Sequence, residues 1–148
     1  MAKAENKAKL FQVLTEIGII QQLSATRFNR LLPEGLHISH FGVLNHLVRV
    51  TGGQTPVQLA DAFQVTRPTM SHTLNVLQKR GLVALRPNPA DKRSKLVFLS
   101  ERGEVLRLKS LEAMAPELAA LAEALDIEAL IKILPQLEKL RQYLDSHR

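Results

Sequence analysis

Short hydrogen-bonding side chains are concentrated on one stretch near the middle of the chain, where they could contact the edges of nucleic-acid bases. Asn can pair with adenine at two points, and Ser and Thr can bond to several bases. If Met70, Leu74 and Leu77 face the interior on a helix, the residues between them face outward. The outward set that we predict to contact base edges or phosphates is Arg67, Pro68, Thr69, Ser71, His72, Asn75 and Lys79.

A second group of residues suited to nucleic acid follows at the tip of a predicted hairpin. We expect Arg93 to enter the minor groove, because a narrow A·T-rich groove attracts a guanidinium group. Asp91 is the one acid in this basic stretch, and it makes most sense as a carboxylate partner that holds Arg93 in position. Taken alone, such a stretch would favour an ordinary solvated turn. The whole tip set is Asp91, Lys92, Arg93, Ser94 and Lys95.

The distribution of charge supports a polyanionic partner. The 148-residue chain has a formal net charge of +6. The segment from Thr66 to Lys95 has seven basic residues and one acid, whereas the remainder has thirteen of each. A concentrated basic patch on an otherwise neutral protein is typical of a nucleic-acid binder, although charge alone is equally consistent with a solvated basic surface.

Capping and turn residues divide this region into a helix, a tight turn, a second helix and a hairpin. Thr55 is suited to cap a helix with Pro56 at its first position. Thr66 is suited to cap the next helix, which should stop at Gly81. Two short β-branched and apolar runs, residues 82–85 and 96–99, predict the strands of the hairpin. In a helix-turn-helix the second helix enters the major groove, and the hairpin would form a wing beside it.

Longer helices are predicted on both sides of this region, over about residues 5–32 and 39–50, after a Ser100 cap, and over about 126–145. The first would be about 40 Å long, which suggests an arm shared with a partner chain. Pro116 should kink the helix that follows Ser100, and Pro135 should kink or interrupt the final helix. The residues expected to pack inside around the central helices are Phe41, Leu44, Leu47, Val48, Val57, Leu59, Ala60, Phe63, Val65, Met70, Leu74 and Leu77.

Together these residues resemble the MarR (multiple antibiotic resistance regulator) family of winged helix-turn-helix regulators. The fold class is then mainly α with a small β-hairpin wing (α+β). The motif-rich part covers about residues 55–103, and the flanking helices match only the architecture. The matching positions are Leu59, Ala60, residues 65–71, Leu74, Leu77, residues 80–83, 91–94 and 97–100, and Gly103.

The resemblance implies a homodimer that binds double-stranded DNA at a pseudo-palindromic operator, most often as a repressor. It implies a DNA-binding lobe over residues 36–99 and a helical dimerisation region over residues 5–34 and 100–148. It also implies control by a small ligand, for which we expect an aromatic or other apolar anionic effector. His37, His40 and Phe41 are the candidates for the ligand cleft, and the two histidines could instead lie at the dimer surface.

Several other classes of function are less well supported by the sequence. The chain has no cysteine, which removes disulfides, thiolate metal sites and thiol redox sensing. No signal peptide or membrane span is expected, so we interpret the protein as cytoplasmic. No motif suggests an enzyme, and no metal or other cofactor is expected. Two alternatives stay open, namely a zinc-responsive regulator that uses His37 and His40, and a winged-helix protein–protein adaptor that does not bind DNA.

Overall fold

The structure is a computed structural model that describes residues 2–147. Within that range the polypeptide forms helices and one hairpin in an order that agrees with the prediction. The long flanking helices begin and end within a few residues of the predicted bounds. The elements are α1 (Ala2–Leu31), a 3-10 turn (Pro33–Gly35), α2 (Ile38–Arg49), α3 (Pro56–Phe63), α4 (Arg67–Lys79), β1 (Val83–Pro87), β2 (Lys95–Leu99), α5 (Glu101–Ala124) and α6 (Ile127–Ser146).

The two threonine caps fix the start of α3 and of α4. The Thr55 hydroxyl accepts from the Gln58 amide, and the Gln58 side chain accepts from the Thr55 amide, which completes a capping box. The Thr66 hydroxyl accepts from the Thr69 amide at 3.2 Å. Between the helices, Gln64 adopts a left-handed conformation with φ 51° and turns the chain. Both predicted caps are therefore confirmed.

The core of the first part of the chain lies between α2, α3, α4 and the hairpin. Four of the expected core positions are wrong: Val48, Val57 and Val65 are exposed, and Phe63 is only half-buried. On α2 the buried stripe contains Val43 rather than Val48, while α3 is so short that its first turn meets solvent. Val65 lies in the turn itself. The buried side chains of these elements include Phe41, Val43, Leu44, Leu47, Leu59, Ala60, Met70, Leu74, Leu77, Leu82, Val83 and Val97.

The hairpin is longer at its tip than predicted. β1 pairs antiparallel with β2 from Val83 opposite Leu99 to Pro87 opposite Lys95. Pro87 is tolerated because it closes an edge strand, where a missing N–H is not required by a neighbour. Gln54 forms an isolated β-bridge to the hairpin, since its amide and carbonyl bond to Val97 at 3.3 and 2.8 Å. This bridge anchors the hairpin to the turn that precedes α3.

The chain divides into two compact units between Ala113 and Met114, inside α5. The first unit contains α1 to α4, the hairpin and the first part of α5, and the second contains the rest of α5 and α6. Helix α6 is continuous through Pro135, so it is not interrupted there, and α5 is likewise continuous through Pro116; the kinks expected at these two positions stay predictions. Proline already has a helical φ and removes only one hydrogen bond, which the remaining turns of a 20-residue helix can tolerate.

Candidate nucleic-acid interface

Helix α4 shows one apolar and one polar face, as its periodicity predicts. Met70, Leu74 and Leu77 are 2%, 4% and 0% exposed and hold the helix against the core. The seven residues predicted to face outward are all exposed. His72 and Asn75 in particular lie on the open face, where their hydrogen-bonding groups are free to contact a ligand. We refer to this surface, which consists of Arg67, Pro68, Thr69, Ser71, His72, Asn75 and Lys79, as the recognition face.

The position of α4 is fixed at both ends by contacts that the sequence does not reveal by itself. At the first end the Val65 amide donates to the Ala60 carbonyl at 3.1 Å, which closes the turn from α3. At the other end the Arg80 guanidinium donates to the Glu34 carbonyl at 2.9 Å. The predicted Ser100 cap is present, and its hydroxyl also donates to the Gly81 carbonyl at 2.6 Å. The start of α5 is thereby tied to the end of α4.

The tip of the hairpin is ordered by its own polar side chains. The Asn88 amide group donates to the Ser94 hydroxyl at 3.0 Å, and the Asn88 carbonyl oxygen of the side chain accepts from the Ala90 amide at 3.0 Å. The Ser94 amide donates to the Asp91 carbonyl at 3.2 Å. Ser94, predicted as a DNA contact, therefore also closes the loop. These bonds give the tip a defined shape before any partner binds.

Asp91 and Arg93 form the contact predicted from the sequence, but through a single guanidinium nitrogen. One Asp91 carboxylate oxygen accepts from the Arg93 amide at 2.9 Å and from Arg93 Nε at 3.4 Å. The Arg93 side chain is 93% exposed. An ion pair so open to water contributes at most about 1 kcal/mol to stability. The pair orients Arg93 outward and leaves its terminal nitrogens available.

An open groove separates the tip of the hairpin from the start of α3. It has a volume of about 530 Å³ and is lined by Thr55, Val57, Arg93 and Lys95 among other residues. Sequence analysis did not indicate this groove, because its two sides are about 30 residues apart in the chain. Asp91 and Ser94 also line it, so most of the predicted tip set surrounds one concave surface.

The three residues predicted to line a ligand cleft lie together at the start of α2. His37 caps the helix, with Nδ1 2.8 Å from the Ser39 hydroxyl and Nε2 3.2 Å from the Asn29 amide nitrogen. Phe41 is buried in the core at 8% exposure. His40 is half-buried, and its Nδ1 has no hydrogen-bond partner. Burial, followed by the charges of His37, Arg80 and His72, lowers the pKa of His40.

A second contact that sequence analysis missed involves Arg86 on β1. Its guanidinium carbon lies 4.9 Å from the centre of the Phe98 ring. The alternation of the paired strands could have indicated this neighbour, but only once the register was known.

Among the described residues, no group of three or more His, Cys, Asp or Glu side chains could hold a metal ion. Within that same range no helix combines the length and apolar character needed to cross a membrane.

Comparison with known proteins adds to this geometry. A sequence model described as the MarR family matches residues 34–94, which include the whole of α2, α3, α4 and the tip of the hairpin. The structure of an E. coli MarR mutant in complex with operator DNA is 25% identical, with a TM-score of 0.74. That match covers 89% of this chain and 95% of the other.

Two further solved structures share the fold at lower identity. A MarR transcriptional regulator from Methanosarcina mazei Go1 is 20% identical with a TM-score of 0.80, covering 92% of this chain and 98% of that one. The transcriptional repressor CouR, bound to a 23-mer DNA duplex, is 23% identical with a TM-score of 0.75, covering 85% and 89%. The predicted fold class, mainly α with a two-stranded wing, is confirmed.

Proposed function

We propose that the chain is a DNA-binding transcriptional regulator of the MarR family, and that it is a ligand-responsive repressor that binds a pseudo-palindromic operator as a homodimer. DNA binding is supported above all by the exposure of the recognition face and of Arg93. Both lie within the segment that holds the whole net charge of +6. Regulators of the MarR family are non-enzymatic, so the proposal includes no catalysed reaction.

We assign the two exposed groups to different parts of the duplex. The recognition face enters the major groove, where Asn75, His72 and Ser71 contact base edges, and Arg67 and Lys79 contact phosphates. The tip set reaches the adjacent minor groove through Arg93, which Asp91 orients, while Lys92 and Lys95 contact the flanking phosphates. Basic side chains that replace condensed counterions make such binding strongly dependent on salt.

Exposed apolar residues on the terminal helices support the homodimer. On α1, Phe11, Ile20 and Leu23 are 72%, 60% and 63% exposed. On α6, Ile131 and Leu134 are 59% and 52% exposed, although they lie on a helix with a regular apolar periodicity. A monomer would leave these side chains in water, whereas burial in an interface would stabilise the dimer by about 25 cal/mol for each Å² of apolar surface removed from water. We therefore assign residues 5–34 and 100–148 to dimerisation, and residues 36–99 to DNA binding.

A dimer places the two recognition faces about one helical turn apart on the same side of the DNA. For the effector we keep His37, His40 and Phe41, because His40 is partly buried with an unpartnered nitrogen and lies near His72 on the recognition face. We propose that an aromatic or other apolar anion binds at these residues. It would change DNA affinity only if it binds more tightly when the two DNA-binding lobes of the dimer are at one distance from each other than at another.

The experiment that tests this function is selection of bound sequences from random duplex DNA, followed by affinity measurements over a range of salt concentrations. We expect an inverted repeat to be enriched and log K to fall linearly with log salt. Repeating the binding with candidate aromatic acids and with zinc tests the effector. A winged-helix adaptor would instead show no salt-dependent affinity for any duplex, and that result would overturn the proposal.

A further inference from the structure

Arg86, on the outer face of the hairpin, belongs neither to the recognition face nor to the tip set. Arg86 pairs with Leu96, and Ala84 pairs with Phe98. Side chains alternate along each strand, so Arg86 and Phe98 lie on the face opposite the buried Val83 and Val97. The Arg86 guanidinium carbon lies 4.9 Å from the centre of the Phe98 ring.

The Phe98 ring is itself held in place by the backbone beneath it. Gln54 bridges to Val97, which places Gly53 beside Phe98 on the same face. Gly53 has a φ of +77°, and a Cβ atom there would lie 2.7 Å from Phe98 Cζ. Only glycine lets the ring approach so closely. The ring therefore packs directly on the turn before α3 and forms a platform there.

The hydrogen-bond donors of Arg86 have no acceptor among the residues that the structure describes. Arg93 is paired with Asp91, and Arg107 with Glu104. In contrast, Arg86 has no carboxylate partner among residues 2–147, and its side chain is exposed. Stacking occupies the face of a guanidinium and leaves its N–H donors directed outward at the edge. A fixed cation with free planar donors matches the geometry of a phosphate group.

We propose that Arg86 is a further DNA-backbone contact, held ready to bind a phosphate by the platform of Phe98 and Gly53. The inference rests on the proposed DNA binding and extends the interface from the tip of the hairpin to the outer face of its strands. Phe98 acts as a positioning residue that does not touch DNA. Because phosphates carry no sequence information, Arg86 adds affinity for every duplex and none for a particular sequence.

The first test compares Arg86→Ala with the unaltered protein on the selected operator and on an unrelated duplex. We expect the slope of log K against log salt to decrease by about one. Affinity at 0.1 M salt should fall roughly fivefold to tenfold on both duplexes. This is the factor by which one phosphate contact raises affinity when the salt concentration is lowered from about 1 M to about 0.1 M. Lys3→Ala, which removes the same charge from an exposed position in the first turn of α1, outside the segments assigned to dimerisation and DNA binding, is the matched control and should leave the slope unchanged.

The second test isolates the platform. Phe98→Leu should weaken binding when Arg86 is present and should have no further effect in the Arg86→Ala background. Arg86→Lys keeps the charge but stacks less well and presents no planar fork, so it should restore the salt slope with only part of the affinity. Thermal unfolding of each variant shows that the lobe is still folded at the assay temperature.

The outcomes separate this inference from the function on which it rests. If Arg86→Ala binds both duplexes with unchanged affinity and slope while the unaltered protein binds the operator, the inference is wrong and the function stands. A loss confined to the operator would also overturn it, because that would identify a base contact. If Phe98→Leu is equally harmful in both backgrounds, the ring has only a structural role and the platform is refuted.

Discussion

Replacement of Arg93 by alanine should weaken DNA binding without weakening the fold. The side chain is 93% exposed, and it pairs with Asp91 through Nε at 3.4 Å. It buries little surface, and an exposed ion pair of this kind contributes between zero and about 1 kcal/mol. The Arg93 amide, which makes the shorter bond to Asp91 at 2.9 Å, is retained in the alanine variant. We therefore expect the melting temperature to change by no more than a few degrees.

The expected loss of binding follows from the same geometry. A guanidinium that reads the minor groove contributes about 1–3 kcal/mol, which corresponds to a loss of affinity of roughly 5- to 150-fold. Fluorescence anisotropy with a labelled operator measures this ratio directly. The loss should be largest on operators whose minor groove is narrow and A·T-rich beside each half-site, and smaller on G·C-rich variants.

The neighbouring Lys92 is the matched control for this variant. Lys92 is also exposed at the tip, but it is assigned to phosphate and not to the groove. Lys92→Ala should weaken binding to A·T-rich and G·C-rich operators by the same factor. Asp91→Asn should cause an intermediate loss, because an amide oxygen can still accept from the Arg93 amide while the charge that orients the guanidinium is gone. Unchanged affinity for Arg93→Ala would refute the assignment of Arg93 to the groove.

Three further predictions concern packing, pH and assembly. A Cβ on Gly103 would overlap the Leu82 carbonyl oxygen and lie 2.8 Å from Leu99 Cδ1, so Gly103→Ala should lower the free energy of unfolding by about 1–3 kcal/mol. Gly18→Ala in α1 meets nothing within 4 Å and should not destabilise; equal losses in chemical denaturation would contradict the packing argument. The pKa of His40 is lowered on folding, so the unfolded chain binds more protons, and stability should decline as the pH falls through 6.5. His40→Phe should reduce that decline; an unaltered profile in His40→Phe would refute this cause. Ile20, which is 60% exposed, should lie in the dimer interface, so sedimentation of Ile20→Glu should show more monomer than the unaltered chain; an unchanged dimer would exclude that position.

The local features of the fold were the easiest to predict from sequence. Thr55, Thr66 and Ser100 each cap a helix as expected, because a cap is a short-range interaction between a hydroxyl and amides two or three residues away. The polar and apolar faces of α4 follow from its periodicity alone. The contact between Asp91 and Arg93 joins residues two positions apart, so it too could be predicted from the sequence.

Features that depend on distant parts of the chain were not predictable in the same way. Val48, Val57 and Val65 are apolar and lie at plausible core positions, but their burial depends on which element packs against them. The stacking of Arg86 on Phe98 depends on the strand register, and the fit of Phe98 on Gly53 depends on a bridge between residues 43 apart in sequence, Gln54 and Val97. The division of the chain inside α5 has no marker in composition. These features are decided by tertiary packing, which a single sequence does not encode locally.

We propose that the recognition face and the hairpin tip of each lobe contact one duplex together. The chain has no cysteine, so a single cysteine can carry a DNA-cleaving iron chelate without other labelled sites. Gln78→Cys and Lys92→Cys place the chelate beside the recognition face and on the tip. We predict that both proteins cleave the selected operator in two symmetric sets, with the cuts from Gln78→Cys in the major groove and those from Lys92→Cys in the adjacent minor groove. Cleavage from only one of the two positions, or from both but on unrelated segments of DNA, would contradict the account.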